Sequence, residues 1–169
     1  MTIYFVSLIS RENQPLYIQP FSPFEEKEES KDKNKDISFV DEGTRENELL
    51  KYNFLSHMAL DVFDSPFMPM AETEPRPGRT YRLLFVQDSV FVFGQETNTG
   101  LKIVVGGSRD ENEYNKQETG LNEVFKQIYR AYLRLICNPF IDSEKIDDEI
   151  ESTQFDRRIK EIVKSWNTD

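Results

Sequence analysis

From Arg45 to Asp64 the chain contains neither Gly nor Pro, and it carries apolar residues around most of a helical circumference. At roughly 100° per residue this is a helix of about five turns, with Leu50, Phe54, Met58 and Val62 on one stripe, widened by Leu55 and Ala59. Leu49, Leu60 and Phe63 occupy the back, interrupted by Lys51, Asn53 and Ser56. One packed face would leave large apolar side chains in water. Such a helix needs two neighbours: one side is expected on a sheet of the same chain, the other is offered to a different protein.

Two acids sharpen this expectation. Asp61 projects between Leu50 and Phe54 on the wheel and shares the last turn with Asp64, where the helix dipole disfavours negative charge by about 0.3–1 kcal/mol each. An offsetting group is expected among backbone N–H groups of a neighbouring loop, His57 one turn earlier, or a cation on a partner. The plain alternative for both acids is solvation or a local hydrogen bond.

A length of 169 residues suits one compact domain, 1–169, able to bury a sizeable core. The net charge of −10 argues against sequence-blind nucleic-acid binding, which needs clustered cations, so proteins are the expected partners. Cys137 is the sole cysteine, which excludes an internal disulfide and a multi-thiolate metal site and fits a reducing compartment. It reads as a small apolar group at the packed end of a helix. The opening Met1 to Ser10 lacks a basic start, and Arg11-Glu12-Asn13 stands where a signal cleavage site would be. No apolar run approaches the roughly 20 residues of a membrane span, so the chain reads as soluble, without direct membrane insertion.

Ile3 to Ser10 is almost continuously apolar, the pattern of an interior strand covered on both faces. Asn13-Gln14-Pro15 is turn chemistry, and Leu16 to Gln19 completes a hairpin. From residue 22 to 43 the periodicity dissolves into a flexible acidic loop. Its mixed-charge core, Glu25 to Asp36, lacks the apolar surface to offset ordering, and its interleaved lysines weigh against calcium. Ser65 to Gly78 holds four prolines and reads as an irregular connection. Strands follow at Thr80 to Gln87, Ser89 to Gln95 and Leu101 to Gly106, joined by short links into an antiparallel meander. Val90 to Phe93 and Ile103 to Val105 are apolar on both faces. The sheet is therefore expected to carry helices on one side and another chain or flanking loops on the other.

Gly106-Gly107 lacks the spacing and the following Lys-Ser/Thr of a phosphate loop, and Ser108 to Gln117 reads as a polar loop. Glu118 to Cys137 is a strongly amphipathic helix. Its arc of Leu121, Val124, Phe125, Ile128, Tyr132, Leu135 and Ile136 opposes Glu123, Lys126, Gln127, Arg130 and Arg134. Asn138-Pro139-Phe140 ends it, because a proline disfavours helical geometry at the residue before it. An acidic link, Asp142 to Glu151, leads to a last helix from Ser152 to Trp166, opened by Ser152 or Thr153 as N-cap. Its stripe of Phe155, Ile159, Ile162, Val163 and Trp166 is expected to dock on the core rather than in a partner's groove.

The order is β-β-α-β-β-β-α-α, an α+β fold with a five-stranded antiparallel sheet, as in longin or SNARE-like domains. Phe5-Val-Ser-Leu-Ile9 with Asn13-Gln-Pro-Leu-Tyr17, His57-Met-Ala-Leu-Asp-Val-Phe-Asp64, Cys137-Asn-Pro-Phe140 and Ser152-Thr-Gln-Phe-Asp156 occur in that order. In this the chain resembles the sedlin family of TRAPP subunits, and most of all its sedlin-like, TRAPP-associated branch. The charged stretch from Glu25 to Asp36 and the proline-rich stretch from Ser65 to Gly78 are longer than that family leads one to expect.

The resemblance implies a non-catalytic subunit or assembly factor of the TRAPP complex, which tethers vesicles and activates a Rab-family GTPase at Golgi and endosomal membranes. It implies other TRAPP subunits as partners, including the large subunits of the TRAPP II form, a cytoplasmic and peripherally membrane-associated location, and no cofactor or metal. The family's disease-sensitive, partner-contacting aspartate corresponds to Asp61. Leu60, Phe63 and Asp64 beside it, and Asn138, Pro139 and Phe140 after the second helix, are the accompanying partner-binding candidates.

Catalysis fits the residues less well. His57 is the sole histidine, so nucleophilic chemistry would need it beside Cys137 or a serine in one exposed cleft. Asp61 and Asp64, one turn apart, are more often an interface or capping feature than an acid–base pair. A longin-fold subunit of a vesicle-coat adaptor is the remaining alternative. A SNARE would need a heptad-repeat coiled coil, which these residues do not contain.

Overall fold

The computed structural model describes residues 1–21, 40–65, 80–108, 114–140, 150 and 153–168, with 40–45, 114–119 and 153 described by backbone alone. Five strands, β1 (Ile3–Ile9), β2 (Pro15–Pro20), β3 (Arg82–Gln87), β4 (Val90–Glu96) and β5 (Lys102–Gly107), form one sheet in the order β2-β1-β5-β4-β3. Every pairing is antiparallel. The helices α1 (Val40–Asp64), α2 (Tyr114–Ile136) and α3 (Thr153–Thr168) join them.

Local chemistry sets the turns. In the β1–β2 hairpin, Ser10 Oγ accepts from the amides of Glu12 and Gln14, and Asn13 adopts φ 63°, a left-handed conformation that Asn tolerates. In the β3–β4 hairpin Asp88 (φ 49°) and Ser89 (φ 64°) are both left-handed, the geometry whose twist matches a two-residue link. Both hairpins stand where the sequence places them, and β1, β5 and β4 form the interior of the sheet between the edge strands β2 and β3.

Alternation along the strands divides the interior in two. Val6, Leu8, Ile103, Val105 and Phe93 face a core completed by Leu121, Val124, Phe125, Ile128 and Ala131 of α2 and by Phe155, Ile159 and Val163 of α3. Phe5, Ile9, Leu84, Val92 and Val104 face the opposite way, onto Tyr52, Leu55 and Ala59 of α1. Helices therefore cover both faces, which corrects the expectation of helices on one side and a foreign chain or loops on the other. The sheet is apolar on both sides because α1 lies on one and the α2/α3 pair on the other.

The ends of α3 and β1 are tied together. Trp166 Nε1 donates to Met1 O at 3.0 Å, and the Asn167 side chain accepts from Ile3 N at 2.9 Å. Tyr17 OH donates to Asp156 Oδ1 at 2.8 Å, linking β2 to the first turn of α3. The stripe expected to dock α3 on the core does so.

Two boundaries and one side chain differ from the sequence reading. Helix α1 begins at Val40, so 40–43, read as part of the acidic loop, are helical; the rest of that loop, with the proline-rich 66–78, lies outside the described residues. Helix α2 begins at Tyr114, so 114–117 are helix rather than polar loop. Neither segment has the apolar periodicity that marks a helix, and each extends one that does. Cys137 is exposed instead of packed, because it falls on the outward arc of α2 with Arg130 and Arg134.

Candidate functional site

The site is built on α1, and the buried arc of that helix is not the stripe its wheel first picks out. Tyr52, Leu55, Ser56 and Ala59 are buried, and Met58, Leu60, Val62 and Phe63 are half-buried around them. Leu50 and Phe54, the first members of the expected stripe, are 65% and 63% exposed. The sheet explains the choice. Phe5 stacks on Tyr52 with centroids 5.1 Å apart, and Ser56 Oγ donates to Ser7 Oγ at 2.7 Å, so a buried hydroxyl on each element satisfies the other. Ala59, fully buried, lets the helix approach closely. Burial also pushes the Tyr52 phenol up to about 12, with lesser contributions from Glu48 and Tyr4.

The opposite arc is thereby released to solvent. Leu50, Phe54, His57 and Asp61 lie together there, all exposed, with Asp61 between the two apolar side chains on the wheel. Among the described residues no hydrogen bond or ion pair reaches the Asp61 carboxylate. The helix does offer one outer and one inner apolar surface, as its all-round pattern requires, but it assigns Leu50 and Phe54 to the outer one.

The last turn of α1 is held at two points. Phe63 lies over Gly94 of β4, where an added Cβ would stand 2.6 Å from its ring, and Arg82 of β3 covers the ring with its guanidinium 5.4 Å from the centroid. Asp64 accepts from Asn13 Nδ2 at 3.0 Å, and Asn13 Oδ1 accepts from the buried Lys102 Nζ at 2.8 Å. The group offsetting Asp64 is thus a side-chain amide from the β1–β2 turn, rather than a loop backbone N–H, His57 or a partner's cation. A lysine within the apolar run Leu101 to Val105 was the available signal, since a buried ammonium requires a partner.

The partner-binding candidates fall into two groups. Asp61 and Asp64 are exposed on the last turn of α1, beside Leu60 and Phe63, which turn partly inward onto the α1 core. Asn138, Pro139 and Phe140 follow α2 on the other layer, where Phe140 is 94% exposed and its amide donates to Asn138 Oδ1 at 3.1 Å. The sheet separates these groups. It likewise separates His57 on α1 from Cys137 at the end of α2, so the two do not share a cleft. Among the described residues no helix is long and apolar enough to cross a membrane, and no cluster of three or more His, Cys, Asp or Glu is arranged to hold a metal ion.

Comparison with known proteins bears on the family of the chain. The sedlin family model matches residues 8–165, from within β1 to within α3. TRAPP-associated protein TCA17 of Saccharomyces cerevisiae is 31% identical over 147 residues, covering 82% of this chain and 80% of that protein. The trafficking protein particle complex subunit 2-like proteins of Bos taurus, 25% identical over 159 residues and 94% of each chain, and of Dictyostelium discoideum, 26% identical over 162 residues and 95% of each, extend the likeness. With its α+β architecture described and nearly the whole length matched, the chain belongs to the sedlin family.

Proposed function

We propose that this chain is a single-domain, non-catalytic subunit or assembly factor of a TRAPP tethering complex, docked on a larger subunit through the outer face of α1 around Asp61. The names of its relatives support the complex, and the solvent-facing Leu50, Phe54 and Asp61 support the face. The latter observation carries the reading. Two large apolar side chains that stay in water while the same helix buries a different arc need a second cover, and an acid between them supplies direction to the contact.

In this role the chain is cytoplasmic and reaches Golgi or endosomal membranes through the complex, whose Rab nucleotide-exchange activity it supports without performing it. The large subunits of the TRAPP II form are the expected neighbours. Asn138, Pro139 and Phe140, on the opposite layer, provide a second contact, so the chain bridges two subunits.

Affinity purification of the tagged full chain from its own cells tests this. TRAPP subunits are expected to co-elute with the wild-type chain and to be lost with Asp61→Tyr, while the melting temperature stays unchanged because Asp61 is exposed. Co-elution of Asp61→Tyr at the wild-type level would refute the docking face.

A further inference from the structure

The side chain of Asn13 joins parts of the molecule that the sequence keeps far apart. Lys102 has no acceptor and the Asp64 carboxylate has no donor, so one amide orientation serves both: Oδ1 toward the ammonium at 2.8 Å and Nδ2 toward the carboxylate at 3.0 Å. Lys102 is 5% exposed, and among the described residues Asn13 Oδ1 is the acceptor that meets its charge. The left-handed backbone at residue 13 explains why Asn or Gly stands there. It does not explain a side chain aimed at both an ammonium and a helix terminus.

Asp64 closes α1, at the end where the helix dipole disfavours a carboxylate and favours a cation. Here the cation is present at one remove, buried in β5 and transmitted by the amide. Asp61 lies three residues earlier, so whatever fixes Asp64 also fixes the direction in which Asp61 is presented.

We propose that Lys102, Asn13 and Asp64 form a positioning relay that holds the last turn of α1 in register with the β1–β2 turn and thereby sets the face offered to the docking partner. This rests on the reading of α1 as the docking helix. Asn13 and Lys102 act through Asp64 and need not touch the partner themselves.

The test exchanges the amide and the carboxylate. Asn13→Asp keeps the backbone tolerance and the contact to Lys102 but sets two carboxylates against each other. The double variant Asn13→Asp/Asp64→Asn restores a donor–acceptor pair with the groups reversed. Each full-length chain is measured for melting temperature, for amide hydrogen exchange over 58–64, and for co-elution of TRAPP subunits, with Asp61→Tyr as reference in the same purification. Asn13→Asp is expected to speed exchange in the last turn about fivefold and to lower co-elution about fivefold, the scale of one contact of about 1 kcal/mol. The double variant is expected to recover both.

Wild-type exchange and co-elution in Asn13→Asp, beside a clear loss in Asp61→Tyr, would overturn the relay and leave the docking face standing. Recovery of exchange without recovery of co-elution would also overturn it, since Asp64 would then be a contact in its own right. Full co-elution of Asp61→Tyr would instead refute the docking face, and with it the relay's role there.

Discussion

Helix α1 and the α2/α3 pair cover opposite faces of one sheet, yet they treat their own apolar residues differently. On α2 and α3 the large apolar side chains point to the sheet or to each other, and the outward arc is Lys126, Arg130, Arg134, Arg157, Lys160 and Lys164, with few acids between them. On α1 two of the largest apolar residues point away from the sheet, beside Asp61. The α2/α3 layer is complete within its own chain. Among the described residues the α1 layer is complete only on its inner side, and so the docking reading falls on α1 although both layers bury a core.

The largest effects should come from the finished layer. Phe125, fully buried and stacked on Tyr81 at 5.1 Å, should cost about 3–5 kcal/mol when replaced by Ala, read as a lower denaturant midpoint and a melting temperature lower by roughly 6–20 °C. A loss below about 1 kcal/mol would show that the layer is looser than its burial implies. On α1 the same chemistry should split by side. Leu55→Ala should cost about 2–5 kcal/mol, whereas Phe54→Ala should stay within about 0.5 kcal/mol in stability while reducing co-elution of TRAPP subunits. Equal destabilisation by the two would erase the distinction between inner and outer arcs.

Gly120→Ala probes the closure of α2 on α3. Its Cβ would stand 2.5 Å from Trp166 Cζ3, so the indole must shift and loosen its bond to Met1 O, at a cost of about 1–3 kcal/mol visible in tryptophan fluorescence and thermal melts.

The smallest effect concerns pH. The Tyr52 phenol titrates near 10 when unfolded and at about 12 when folded, so its burial adds stability in full below pH 10. That contribution declines as pH rises from 10 through 12. Tyr17, pushed in the same direction by burial and then by its bond to Asp156, adds to the decline. Tyr52→Phe should flatten the fall in melting temperature between pH 10 and 12, and an unaltered slope would remove Tyr52 from the cause.

Much of this is legible in the sequence. The order of strands and helices along the chain, both hairpins, and the inward arcs of α2 and α3 follow from periodicity and turn chemistry, because each segment there has one way to hide its apolar surface. The family resemblance rests on residues in β1, the β1–β2 turn and β2, in α1, just after α2, and at the start of α3. The rest is not legible in the sequence: the first turns of α1 and α2 carry no periodic signal, residue type suggests packing for Cys137 where the wheel turns it outward, the contact of Asn13 with Lys102 and Asp64 joins residues distant in sequence, and the arc of α1 that covers the second sheet face depends on the sheet itself.

The amino-acid order alone determined that α1 would have two apolar sides, since no rotation of that helix hides Leu50, Phe54, Leu55, Met58, Leu60 and Phe63 at once. Which side faces inward was decided by the sheet. Phe5 offers a ring to Tyr52, Ser7 a hydroxyl to Ser56, and Gly94 a hollow to Phe63, and these three fits fix one rotation among several of similar apolar burial. The surface left outside, with Asp61 at its centre, follows from that fit.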